Sequence, residues 1–304
     1  MTGFLAVVDD IVLSHSSRGM DRLAPALAPG WCKRGGDLIL GHPGTVLIGT
    51  GFPVGKTFET DGPVGAVALY HVLESTGHRP IMVCGPPLSR LLADGFALYE
   101  LPINDRDGTM PVVDRILKET PPSLVVSIER PGVALDGRYY NMRRQDITDR
   151  VAKFDLLLEQ SPCPSLAVGD GGNEIGMGSM AEHLAELPII PSAVSSDVLV
   201  ISTVSNWGVY GIIAEMSIRL KTDLFAGLDI DGIFDFLVSG GAVDGVTCSA
   251  AISEDGFPIE VGQSIIDRLR SYVVGRIAPS TENETQMRSG PLRRRRACSK
   301  RHPP

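Results

Sequence analysis

The chain has 304 residues, with 28 Lys+Arg against 36 Asp+Glu and a formal net charge of −8. Apolar residues make up 43% and charged residues 21%, which excludes collagen-like, wholly disordered and coiled-coil classes. The average hides a split: residues 276–304 carry eight Lys/Arg and two acids, net +6, so residues 1–275 carry −14 and are a poor nucleic-acid binder.

Met1–Asp10 has no basic n-region and turns acidic by residue 9, so neither a secretory signal nor an Arg-rich transit peptide is expected. The cysteines at 32, 84, 163, 248 and 298 are odd in number, widely spaced and without C-x-x-C, which disfavours a disulfide scaffold or a structural zinc site. No apolar run approaches the ~18 residues of a membrane helix. The expectation is a soluble protein of a reducing compartment, cytoplasmic or alternatively the mitochondrial matrix. Residues 1–17 read as an N-terminal extension, 18–275 as one α/β domain, and 276–304 as a basic disordered tail.

In chain order, Thr45–Gly49 reads as a buried strand and Gly62–Ser75 as a helix with Val64, Val67, Ala68 and Val72 on one stripe. Pro80–Cys84 is a strand, Pro87–Ala93 helical, Phe96–Leu101 a strand, and Met110–Glu119 a helix beginning near Thr109. Ser123–Ile128 follows as a strand, Asp149–Glu159 as a helix, and Ser165–Gly169 as a strand. A helix over Met180–Leu187 precedes a strand at Asp197–Ser202. Helices over Asn206–Leu220, Ile230–Val238 and Val261–Val274 close the domain. Alternating strands and helices predict a three-layer α/β/α fold with a mostly parallel sheet.

Ligands of such a sheet bind at the carboxyl ends of its strands. Four segments there combine glycine with acids, amides or arginine: Gly49–Pro63, Glu129–Gly132 with Gly137–Arg143 and Asp146–Thr148, Gly169–Gly178, and Val204–Gly208. Together they point to one site assembled from loops. Gly55-Lys-Thr57 mimics the end of a phosphate-binding loop, but the glycine required at position 50 is Thr50, and Glu59 and Asp61 would repel phosphate. No nucleotide cofactor is expected. Asp61 reads as the N-cap of the helix that follows it. Arg143 and Arg138 are the residues best suited to grip a carboxylate bidentately.

Glu59-Thr-Asp-Gly-Pro-Val-Gly-Ala66, Glu129-Arg-Pro-Gly132, Tyr140-Asn-Met-Arg143 with Asp146-Ile-Thr148, and Gly169-Asp-Gly-Gly-Asn-Glu-Ile-Gly-Met-Gly178 resemble the C-terminal domain of the D-glutamate cyclase family. Arg18-Gly-Met-Asp-Arg-Leu23 resembles its opening. The resemblance covers about residues 18–275 and implies a hydro-lyase that cyclises D-glutamate to 5-oxo-D-proline. Such chemistry needs a base for the substrate ammonium, a cation or acid at the reacting carboxylate, and an anchor for the other carboxylate. The expected catalytic set is Asp61, Glu129, Asp170 and Glu174. Arg143 is the expected anchor, with Thr50, Arg130, Asn173, Ser205 and Asn206 also binding substrate. Glu59, Asp61, Asp170 and Glu174 form a candidate set for Mn²⁺ or Mg²⁺, because hard carboxylate oxygens suit such ions. The expected partner is a small acidic molecule, with no nucleic acid and no membrane, and with a homo-oligomer left open. Two alternatives stand beside the lyase: a metal-dependent enzyme on another small acidic metabolite, and a non-catalytic ligand-binding α/β module.

Overall fold

The computed structural model describes residues 7–16 and 18–277. Its elements are α1 (Val7–Val12), α2 (Met20–Leu23), α3 (Trp31–Gly41), β1 (Thr45–Gly49), β2 (Pro53–Val54), β3 (Thr57–Phe58), α4 (Pro63–Ser75), β4 (Arg79–Cys84), α5 (Leu88–Leu92), β5 (Leu98–Glu100), α6 (Arg106–Glu119) and β6 (Leu124–Ile128). Then come α7 (Asp155–Gln160), β7 (Ser165–Gly169), α8 (Ala181–Leu184), β8 (Val198–Ile201), α9 (Ser205–Leu220), α10 (Ile230–Ser239), β9 (Ser253–Glu254), β10 (Phe257–Pro258) and α11 (Ile259–Ile277).

Six strands form a parallel sheet in the order β5-β4-β1-β6-β7-β8. The chain winds from β1 outward to β5, then returns and winds the other way from β6 to β8. That reversal opens a crevice beyond the carboxyl ends of β1 and β6, where open α/β sheets bind ligands. Val46–Ile48, Leu124–Ile128 and Ser165–Gly169 are buried on both faces, as continuous apolar runs require. Helix α9 is buried along nearly its whole length and packs against α1, α3, α4 and α11, while α6 pairs with α7. The result is the expected α/β/α layering. Among the described residues, no helix is long and apolar enough to cross a membrane.

Four differences from the sequence reading have local causes. Helix α1 lies within the expected N-terminal extension yet buries Val8, Ile11 and Val12 in the main core, so the packed body begins before residue 18. Helix α3 has no counterpart in the sequence reading, and it carries a Gly35-Gly36 pair. The two glycines let α3 lie close against Ile212 and Met216 of α9, and the helix start is capped from a distance by Asp9, which accepts from Gly30 N and Cys32 N. Helix α6 starts earlier than expected because Asp105 caps it through Gly108 N at 2.8 Å, which places Pro111 inside the helix. The single helix expected over 149–159 is broken into a 3₁₀ turn at Thr148–Arg150 and α7, because Ala152 O is taken by the Arg130 guanidinium. The expected tail lies outside the described residues, apart from Arg276 and Ile277, which end α11.

Candidate active site

The acids of the site are delivered by loops that follow strands of the main sheet and by one separate hairpin. Glu59 and Asp61 come from the turn between β3 and α4, Glu129 from the end of β6, Asp170 and Glu174 from the end of β7, and Asp255 from the β9–β10 turn. Glu129 has φ 45°, a conformation that few non-glycine residues adopt and that recurs at functional sites. Gly62 beside it has φ 88°, and a Cβ there would stand 2.6 Å from Glu129 Cβ. Only glycine allows the two loops to meet.

Asp61 does not cap α4. Its Oδ1 accepts from Asn206 N at 2.8 Å and its Oδ2 from Ser205 N at 3.0 Å, so it caps α9. Asn206 returns the interaction: its Oδ1 accepts from Gly62 N at 2.9 Å and Gly65 N at 2.8 Å, the first turn of α4. The two helix N-termini thus cap each other and direct their positive ends at the acids. The Asn206 amide also donates to Glu254 at 2.8 Å, and Trp207 Nε1 donates to the same carboxylate. Asn206→Ala would strand these buried groups and is expected to destabilise the fold by about 2–4 kcal/mol. Denaturant unfolding followed by circular dichroism checks this.

Glu59, Asp61, Glu129, Asp170, Glu174 and Asp255 are all buried. Burial pushes each of these carboxyls up from its usual range, and repulsion by neighbouring acids adds to the effect for all but Glu174, which its backbone hydrogen bonds and Arg18 pull back down. Asp170 is pushed up to about 7. Arg18 sits among them, its Nη1 at 2.8 Å from Asp170 Oδ1 and 2.6 Å from Asp255 Oδ2. Asp170 Oδ2 has no hydrogen-bond partner. One carboxylate oxygen each from Asp61, Glu129 and Asp170 lie within 4.8 Å of one another.

A cavity of about 330 Å³ opens onto this cluster. Arg18, Glu59, Glu129 and Asn173 line its inner part, with Arg143 and Val246 among the residues further out. The Glu59 carboxylate has no hydrogen-bond donor among the described residues. It passes over Gly245, where a Cβ would stand 1.9 Å from Glu59 Oε2. Asn173 donates its amide to Tyr140 O at 2.9 Å, and its Oδ1 is unpartnered.

The cavity therefore gathers Glu59, Glu129, Asn173 and Arg143 from the expected residues, and Asp61 and Asp170 stand behind Glu129. Others are placed differently. Both oxygens of Glu174 accept from the Gly171 and Gly172 backbone, so it braces its own turn. Glu129, not Glu174 or Glu59, joins Asp61 and Asp170 in the oxygen cluster. Arg130 is buried and spends its guanidinium on the carbonyls of Thr50, Gly51 and Ala152, a clamp on backbone and not a substrate contact. Ser205 donates to Glu129 Oε2 at 2.5 Å, and Asn206 is consumed by capping. Thr50 is fully buried with an unpartnered hydroxyl and does not line the cavity. Arg143 is exposed at the mouth, where its Nη2 donates to Val246 O at 3.3 Å. Sequence reasoning missed Arg18 and Asp255 as site residues. Asp255-Gly256 carries the ordinary signature of a hairpin turn, which hid its second use.

A family model described as D-glutamate cyclase-like, C-terminal, matches residues 8–270. The human protein named "D-glutamate cyclase, mitochondrial" is 35% identical over 202 residues, covering 58% of this chain and 33% of the human one. The chain thus spans about a third of the length of the curated relative it matches. With most of its length inside the family match, this chain belongs to the D-glutamate cyclase-like, C-terminal family.

Proposed function

We propose that this domain is a hydro-lyase that cyclises D-glutamate to 5-oxo-D-proline with loss of water. The observation that carries the reading is a single cavity in which an acid without hydrogen-bond donors, Glu59, lies near the half-buried guanidinium of Arg18. Glu59 takes a proton from the substrate ammonium, helped by Asn173 Oδ1, which accepts from the same group. The freed nitrogen attacks the side-chain carboxyl carbon, a C–N bond forms, and a C–O bond breaks. The two protons lost from nitrogen leave on that oxygen as water. Burial raises the proton affinity of Glu59, which makes its ionised form the stronger base. Arg143 at the mouth is the anchor for the α-carboxylate.

Asp61, Glu129 and Asp170 fit a hard divalent cation such as Mn²⁺ or Mg²⁺, given their clustered oxygens and the free Asp170 Oδ2. When bound, such an ion offsets the buried negative charge and polarises a carboxylate oxygen. A cytoplasmic or matrix location suits the free thiols of Cys32, Cys84, Cys163 and Cys248.

Purified protein incubated with D-glutamate, in Mn²⁺, in Mg²⁺ and in EDTA, should consume it and release an equal amount of 5-oxo-D-proline by chiral chromatography. Absence of product under every condition would overturn the reading.

A further inference from the structure

The acid cluster raises a difficulty for any dicarboxylate that enters it: the inner cavity is lined by carboxylates that repel one. Arg143 cannot resolve this, because it is exposed at the mouth and directed to Val246 O. Arg150, which also lines the cavity, is likewise exposed and donates to Gly55 O. Arg18 is different. It reaches the acids themselves and lines the cavity at that depth. Both of its ion pairs use Nη1 alone. Its Nε and Nη2 make no hydrogen bond with any described residue, and the side chain keeps 21% of its surface exposed. A guanidinium held by one nitrogen and open along the adjoining Nε–Nη2 edge presents the fork that binds a carboxylate bidentately.

We infer that Arg18, held in place by Asp170 and Asp255, is the specificity residue that receives the reacting side-chain carboxylate of the substrate along its free edge. This rests on the proposed cyclase reading for the identity of the substrate. It requires of the ligand only a small dicarboxylate. Pairing with Arg18 neutralises the carboxylate, which is a poor electrophile while charged, and sets its carbon near the amine that Glu59 deprotonates. The ion pairs with Asp170 and Asp255 fix the guanidinium plane before the ligand arrives.

Glutarate, a dicarboxylate without an amine, separates this role from catalysis. It should bind the wild-type protein in calorimetry. Arg18→Lys and Arg18→Gln should weaken that binding about 10- to 100-fold, the loss of one or two charge-assisted hydrogen bonds. In the folded wild type, glutarate should also protect Arg18 from phenylglyoxal, read by peptide mapping, where chloride at equal ionic strength does not. That arm needs no variant to fold. Unchanged affinity in a folded Arg18 variant, no glutarate binding by the wild type, or no protection of Arg18 would each overturn the inference. Glutarate binding through Arg18 without turnover of D-glutamate would uphold it while removing the cyclase reading.

Discussion

Glu59→Gln is expected to lower turnover of D-glutamate by about 10²–10⁴-fold, the range typical of a lost general base. The fold should remain intact. No hydrogen bond to the Glu59 carboxylate is lost, the replacement has nearly the same shape, and one repelling charge leaves a buried acidic cluster. The unfolding midpoint should therefore stay level or rise. Loss of activity with unchanged or improved stability is the signature of a residue kept for chemistry. Turnover near the wild-type rate would remove Glu59 from the mechanism, and a collapse of stability would show that its carboxylate holds structure after all.

A second large effect concerns pH. Asp170 and Glu254 are both pushed up to about 7 in the folded protein, Asp170 and Glu254 alike chiefly by burial. Unfolded, such carboxyls titrate near about 4. Between these values the folded state holds protons that the unfolded chain has released. Stability is then fully present below the unfolded values, falls as pH rises through the folded ones, and levels off above them. The unfolding midpoint should rise when pH is lowered from about 8 to about 5, by the equivalent of a few kcal/mol. This is opposite to the trend of a protein whose carboxylates are stabilised by salt bridges. Mn²⁺ or Mg²⁺ added at the alkaline end should restore much of the loss, because a cation between Asp61, Glu129 and Asp170 does the work of the missing protons. Scanning calorimetry across this pH range, with and without metal, checks both statements. A midpoint that climbs with pH would contradict the first.

The scaffold was largely readable from the sequence because parallel strands buried on both faces must be continuous apolar runs, and β1, β4, β6, β7 and β8 are such runs. Helices with local signals were found. Helix α3 was not, since its cap comes from Asp9 and its glycines serve a neighbouring helix. The site divided along the same line. That acids and glycines after consecutive strands meet at one edge follows from topology. What each one does there depends on partners distant in sequence. Arg130 and Asn206 have the residue types of ligand contacts, but their hydrogen bonds go to distant backbone, and the oxygens of Glu174 are taken by Gly171 and Gly172. Asp255 carried only the signal of a turn, and Arg18 lies 152 residues from Asp170.

That long separation bears on the order in which a nascent chain can assemble this cavity. The sixth and last strand of the sheet ends at Ile201, so the apolar scaffold has all its strands well before Gly245, Val246 and Asp255 have left the ribosome. Arg18, Glu59, Asp61, Glu129 and Asp170 are already synthesised by then and remain open to water on the side those residues will cover. The residues that cover the charged groups, and helix α11 that packs on α9, are thus synthesised after the strands that position those groups.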